Sequence, residues 1–169
     1  MTIEHEGKTL RATTSLAICG SRRGGAVTQL VDGVVAPLSR FLHQYPRQVH
    51  HGPVGIGIEV MTHLADRYRP PHLEEVIGLL GHQNVVRRAE YVLVIGGGSG
   101  TNDEADLAFS LGKKVIPFAA SGGAAKQAAE TLSLNQDYRQ WLTREDLDAL
   151  LAATSPEEFV GNVRRLLVG

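Results

Sequence analysis

Residues 91–95 read Tyr-Val-Leu-Val-Ile and run directly into Gly96-Gly97-Gly98-Ser99-Gly100-Thr101. Five consecutive apolar residues suit a strand buried on both faces, which is the environment of a parallel sheet. A strand-to-helix turn often needs glycine for a positive φ. One tight turn does not need four glycines in five residues. Glycines without a Cβ let a ligand lie against the backbone, and the free N–H groups at a helix start attract an anion. Phosphate is the natural candidate.

The same arrangement recurs along the chain. Ser15-Leu16-Ala17-Ile18-Cys19 is stopped by Gly20-Ser21-Arg22-Arg23-Gly24-Gly25, and Gln48-Val49-His50-His51 ends at Gly52-Pro53-Val54-Gly55-Ile56-Gly57. Lys114-Val115-Ile116-Pro117-Phe118 leads to Ser121-Gly122-Gly123. Between these strands, Val27, Leu30, Val31, Val34, Val35, Leu38, Phe41 and Leu42 recur at helical spacing. Pro37 falls inside that helix and is expected to kink or break it. Ile58, Met61, Leu64, Ala65 and Tyr68 form a second amphipathic face, closed by Pro70-Pro71. Residues 72–90 read as helical, in two pieces broken near Gly78 and Gly81, and further helices are expected over 101–111 and 124–132.

Two C-terminal helices carry start signals. Thr143 is a candidate N-cap, with Leu142 and Leu147 spaced for a hydrophobic staple, and Ser155-Pro156-Glu157-Glu158 has the form of a capping box. Phe159, Val163, Leu166 and Leu167 then supply a buried stripe. Strands alternating with helices predict an α/β fold, a Rossmann-like parallel sheet with helices on both faces and a short helical C-terminal extension. The expected layout is a polar arm over 1–14, a nucleotide-binding unit over 15–132, and packing helices of the same domain over 133–169.

Composition narrows the function. The chain has 169 residues, 43% hydrophobic and 21% charged, which suits one globular domain and neither a disordered tail nor a membrane protein. Seventeen Lys and Arg against 18 Asp and Glu leave a formal charge of -1, without the basic excess of a nucleic-acid binder. Cys19 alone supplies neither a disulfide framework nor a cysteine-rich zinc site. His50 and His51 point to opposite faces of their strand and do not readily share a metal. No apolar signal region or transmembrane run stands out, so a cytoplasmic protein without metal, cofactor or membrane partner is expected.

In open α/β sheets ligands bind beyond the carboxyl ends of the strands, here at Gly20, Gly52, Gly96 and Gly122. Gly100-Thr101-Asn102 lacks the lysine of a Walker A loop. The third glycine of a dinucleotide fingerprint falls on Thr101, and the next strand ends at Phe118-Ala119-Ala120 with no acid for a ribose. These two departures argue against an NAD-dependent dehydrogenase.

Gly97-Gly98-Ser99-Gly100-Thr101-Asn102-Asp103-Glu104 resembles the GGxGTxxE motif of the Lonely Guy family. That family belongs to the wider SLOG superfamily, which also resembles the DprA and molybdenum-cofactor carrier proteins. The glycine turn from Gly52 to Gly57 is similar to the family's second turn, Gly20-Ser21 fits its first, and the resemblance spans about residues 15–130. It implies that the motif binds the phosphate of a nucleoside monophosphate and that Glu104 helps to break the bond between ribose and base. A carboxylate there can stabilise oxocarbenium character or orient water. Glu104 also has a structural reading, as a favourable charge near a helix N-terminus, which Asp103 fits equally well. The resemblance further implies a homodimer or larger homo-oligomer, for which the helices over 27–42 and 72–90 carry apolar surface to spare.

The sequence also departs from the family. Ungapped alignment puts the family's catalytic arginine at Gly81, beside His82, while Arg87 and Arg88 lie near the start of the next strand. The helix after Glu104 is short, ending near Lys113-Lys114. The run from Val115 to Ala125 resembles SLOG ligand-sensor domains, which are associated with NAD-derived nucleotides, including cyclic ADP-ribose, in antiphage defence. The expected ligand is therefore a phosphorylated, nucleotide-derived small molecule of the ADP-ribose or cyclic ADP-ribose type, or a nucleoside phosphate. A phosphoribohydrolase with Glu104 as its catalytic residue is the alternative, and a carrier module with a vestigial site is a third. The candidate binding residues are Gly20, Ser21, Arg22, Gly52, Gly55, Glu59, His82, Gly97, Gly98, Ser99, Gly100, Thr101, Glu104, Gly122 and Gly123. Arg22 and Arg23 either close over a polyphosphate or are solvated. Glu59 either binds ribose hydroxyls or stabilises a helix start, and His82 either donates to phosphate or is an exposed helix residue.

Overall fold

The computed structural model describes residues 14–68 and 82–169, the second stretch with side chains from Val85 onward. Strands β1 (Leu16–Ser21), β2 (Val49–His51), β3 (Tyr91–Gly96) and β4 (Lys114–Phe118) form one sheet in the order β2-β1-β3-β4, every pair parallel. The register sets Ile18 beside His51 and Leu93, and Ile95 beside Phe118. All six residues of β3 are buried, as the unbroken apolar run requires of a central strand. Pro117 cannot donate to a ladder, and it stands on the edge strand β4, where that costs least.

Seven α-helices occur among the described residues: α1 (Thr28–Gln44), α2 (Ile56–Tyr68), α3 (His82–Arg87), α4 (Ser99–Ser110), α5 (Gly123–Leu134), α6 (Arg144–Ala152) and α7 (Pro156–Val168). Helix α1 packs against α2 and α7, while α4 packs against α3 and α5, so both faces of the sheet are covered. This is the α/β architecture expected from the alternation of strands and helices. Both α4 and α5 begin a residue or two earlier than expected, because their first turns are built inside the glycine runs.

One expectation changes. Helix α1 is continuous through Pro37 rather than broken there. The missing hydrogen bond and ring clash cost about 3 kcal/mol. Val34, Leu38, Phe41 and Leu42 are all buried around it, and side chains of that size stabilise by roughly 1.5–3 kcal/mol each when removed from water. Helix α7 lies on α1, so closely that a Cβ at Gly33 would sit 2.6 Å from Pro156 Cγ. The arm over 1–13, Pro70-Pro71 and the helix break near Gly78 and Gly81 fall outside the described residues.

The C-terminal start signals act as expected. Thr143 Oγ1 accepts from Asp146 N at 3.0 Å, and Ser155 with Glu158 makes the reciprocal capping box of α7. The box aims Phe159 at the sheet, where its ring stacks on Phe118 with centroids 4.8 Å apart. Leu166 and Leu167 are only half-buried, packed against the edge of the core.

His50 is wholly buried on β2, and neither ring nitrogen meets a hydrogen-bond partner among the described residues. Burial lowers its pKa, and Arg88 and His51 act in the same direction. A histidine held neutral in the fold is protonated more readily when unfolded. Stability is therefore full above the ordinary histidine pKa of about 6.5 and declines as pH falls below it. Urea midpoints at pH 7.5 and 5.5 are expected to show this decline, and His50→Leu is expected to reduce it.

Candidate functional site

The carboxyl ends of β1 and β3 meet backbone to backbone. Gly97 N donates to the Ser21 carbonyl at 2.8 Å. Gly20, at φ +152°, lies so close to β3 that any Cβ would run into the Ile95 carbonyl oxygen. A side chain at Gly97, at φ +96°, would collide with Thr101. These two positions demand glycine whether or not a ligand binds.

Ser121 ties the turns together. Its buried Oγ accepts from Gly96 N at 2.8 Å and donates to the Phe118 carbonyl at 2.6 Å. Its own carbonyl accepts from Val27 N at 2.7 Å, just ahead of α1. The adjoining turn closes on the same loops: Ala26 bridges Gly122, and Ala124 N donates to the Gly97 carbonyl at 2.8 Å.

Gly98 is the N-cap of α4 and provides no side-chain cap. The N–H groups of Ser99, Gly100 and Thr101 therefore lack intrahelical acceptors, at the positive end of the helix dipole. They border a cavity of about 850 Å³. Its walls come from the β1 end and turn (Ile18 to Gly24), from Gly52, Val54 and Gly55 after β2, from Glu59 on α2, and from Gly98 to Thr101 with Glu104 on α4.

Two features govern its electrostatics. Arg22 makes a two-pronged ion pair with Glu59, at 2.9 and 2.7 Å, and reaches Asp32 on α1 through Nε at 2.5 Å. The bond to Glu59, then that to Asp32, raises the Arg22 pKa further. Deeper in, Cys19 and the buried Glu104 share one wall. Burial pushes the Cys19 thiol up, and the Glu104 carboxylate adds to the shift, so Cys19 is a neutral thiol.

The structure thus gathers Gly20, Ser21, Arg22, Gly52, Gly55, Glu59, Gly98, Ser99, Gly100, Thr101 and Glu104 around one cavity. Gly97, Gly122 and Gly123 do not line it. β4 flanks the far side of β3, so its turn packs on Gly25 and Gly97 instead of joining the cavity. Arg22, left between polyphosphate contact and solvation, is committed to two carboxylates. The His82 side chain and Gly81 lie outside the described residues. Arg87 and Arg88 precede β3, at its end away from the glycine loop. Sequence reasoning missed Val54, an 82% exposed apolar residue at the rim, the wall position of Cys19, and Ser121 as a clamp. Val54 had a signal, since an apolar residue between Pro53 and Gly55 has no reason to be in an exposed turn.

Comparison with solved structures supports the architecture. The molybdenum cofactor carrier protein of Chlamydomonas reinhardtii superposes with a TM-score of 0.57 at 15% identity, covering 93% of this chain and 99% of that one. The structural-genomics target TM1055 gives 0.55 at 22% identity, covering 69% of this chain and 81% of that one. This chain shares their Rossmann-like fold. No protein-family model and no curated protein matches it.

Ser121→Ala leaves the Gly96 N–H buried without its acceptor and is expected to cost about 1–3 kcal/mol in chemical denaturation. Gly98→Ala is the contrasting case. Its Cβ meets nothing closer than Arg23 Cβ at 3.4 Å, and the loss is expected to stay below about 1 kcal/mol.

Proposed function

We propose that the chain binds a phosphorylated, nucleotide-derived small molecule, with its phosphate on the N–H groups of Ser99, Gly100 and Thr101 and its sugar toward Glu104. The convergence of three strand-end turns and an uncapped helix start on one cavity supports this role above any other observation. At about 850 Å³ the cavity has room for a nucleotide. ADP-ribose or cyclic ADP-ribose and simple nucleoside phosphates are the ligand classes to test. The Chlamydomonas protein that shares the fold is a carrier of the molybdenum cofactor, which agrees with binding of a small molecule.

In a thermal or chemical stability assay, the cognate ligand at a hundredfold excess over its Kd is expected to add about 2.7 kcal/mol. AMP, ADP, ADP-ribose, NAD and cyclic ADP-ribose form the panel. Gly98→Val fills the gap between the α4 start and the Arg23 turn and is expected to abolish the shift while the protein stays folded. A panel that produces no shift with wild-type protein defeats the proposal.

A second reading is hydrolysis of a nucleoside 5'-monophosphate to base and ribose 5-phosphate. The buried carboxylate of Glu104 on the cavity wall favours it. Removal of a charge-stabilising group commonly costs about 10²–10³ in rate. With Gly81 at the family's arginine position, release of base from AMP is expected to be slow or absent when followed by chromatography. Turnover on the order of 1 per second that Glu104→Gln stops would establish the hydrolase instead.

A further inference from the structure

We propose that Arg22 grips the phosphate of a ligand by exchanging ion-pair partners, with Glu59 as an internal competitor that weakens this grip rather than a contact for the ligand. This rests on the binding role proposed above. The guanidinium occupies a junction: it projects from the turn after β1, both terminal nitrogens hold the Glu59 carboxylate on α2, and Nε holds Asp32 on α1. Arg22 and Glu59 face the cavity on one side, and together with Asp32 they face a shallower surface groove on the other.

Charge balance makes this pairing matter. The basic and acidic side chains lining the cavity are Arg22 and Arg23 against Glu59 and Glu104, so basic residues do not outnumber acidic ones. Arg23 makes no ion pair among the described residues, and its backbone N donates to Ser21 Oγ at 3.2 Å. An entering phosphate therefore meets one uncommitted cation and the repulsion of two carboxylates. Arg22 can grip the phosphate, whose oxygens suit the same two-pronged geometry, only by giving up Glu59.

The exchange is feasible because the pair is not locked in the core. The side chains of Arg22, Glu59 and Asp32 are 39%, 41% and 51% exposed. Ion pairs this open to water contribute little to stability, so the fold survives the switch. A neutral nucleoside offers the guanidinium nothing to exchange for. The pair thus weakens phosphate binding by a set amount while leaving a non-phosphorylated analogue unaffected, and both carboxylates act in the same direction.

Isothermal titration with AMP, and with adenosine as the uncharged control, tests the exchange. Glu59→Gln is expected to tighten AMP binding about tenfold, equivalent to about 1.4 kcal/mol, without changing adenosine. Asp32→Asn, which lies outside the cavity, is expected to tighten AMP less but in the same direction. Arg22→Ala is expected to weaken AMP and to erase the gain when combined with Glu59→Gln. Weaker or unchanged AMP binding in Glu59→Gln overturns the exchange, since a direct ligand contact gives the first result and an idle surface pair gives the second. If Gly98→Val still abolishes AMP binding in that case, the binding role stands without the exchange. Absence of AMP binding in wild type and every variant overturns the exchange, and the binding role falls with it only if ADP, ADP-ribose, NAD and cyclic ADP-ribose also give no stability shift.

Discussion

Ser121 Oγ sits in a space closed to water, accepting the Gly96 N–H and donating to the Phe118 carbonyl. One hydroxyl thereby satisfies the end of β3, the end of β4 and, through its own backbone, the entry to α1. Three chain segments that must each turn sharply could not share this volume with side chains between them. Glycines at 20, 96, 97, 122 and 123 bring the backbones together, and the serine supplies the hydrogen bonds that such close packing would otherwise leave unmade. These contacts place the start of α4 beside the cavity. An uncapped helix end attracts anions usefully only when it is held still and open to a cavity.

Around that frame the charges are arranged with economy. The two acids nearest the ligand space have different surroundings. Glu59 lies at the rim with an arginine in its grip, and Glu104 is buried against a neutral thiol. A rim carboxylate paired to arginine is suited to adjusting how an anion enters. A buried carboxylate on a cavity wall is suited to orienting hydroxyls or water.

Much of the fold was legible in the residues. The five-residue apolar run of β3 and the glycine stop after each strand revealed every strand of the sheet, because burial on both faces leaves no alternation to confuse with a helix. The caps at Thr143 and Ser155 were equally plain, since their chemistry is local. Pro37 misled, because a local penalty says nothing of the buried side chains on either side of it. The glycines of the β4 turn misled for a related reason. A glycine required by backbone contact and a glycine required by a ligand look alike in a sequence, and only the strand order separates them.

The sequence alone determined which segments are strands and helices, and that four glycine turns stand at one end of a parallel sheet. It also marked Gly98 to Thr101 and Glu104 as a motif worth following, since short-range spacing is written in consecutive residues. Tertiary structure decided the rest. The order β2-β1-β3-β4 put the turns of β1, β2 and β3 around one cavity and left that of β4 outside. It brought Arg22 within reach of Asp32 and Glu59, 10 and 37 residues away. It placed Ser121 under Gly96 across 25 residues. Each of these contacts depends on how the chain crosses over between parallel strands, and no local pattern of residue types encodes that path.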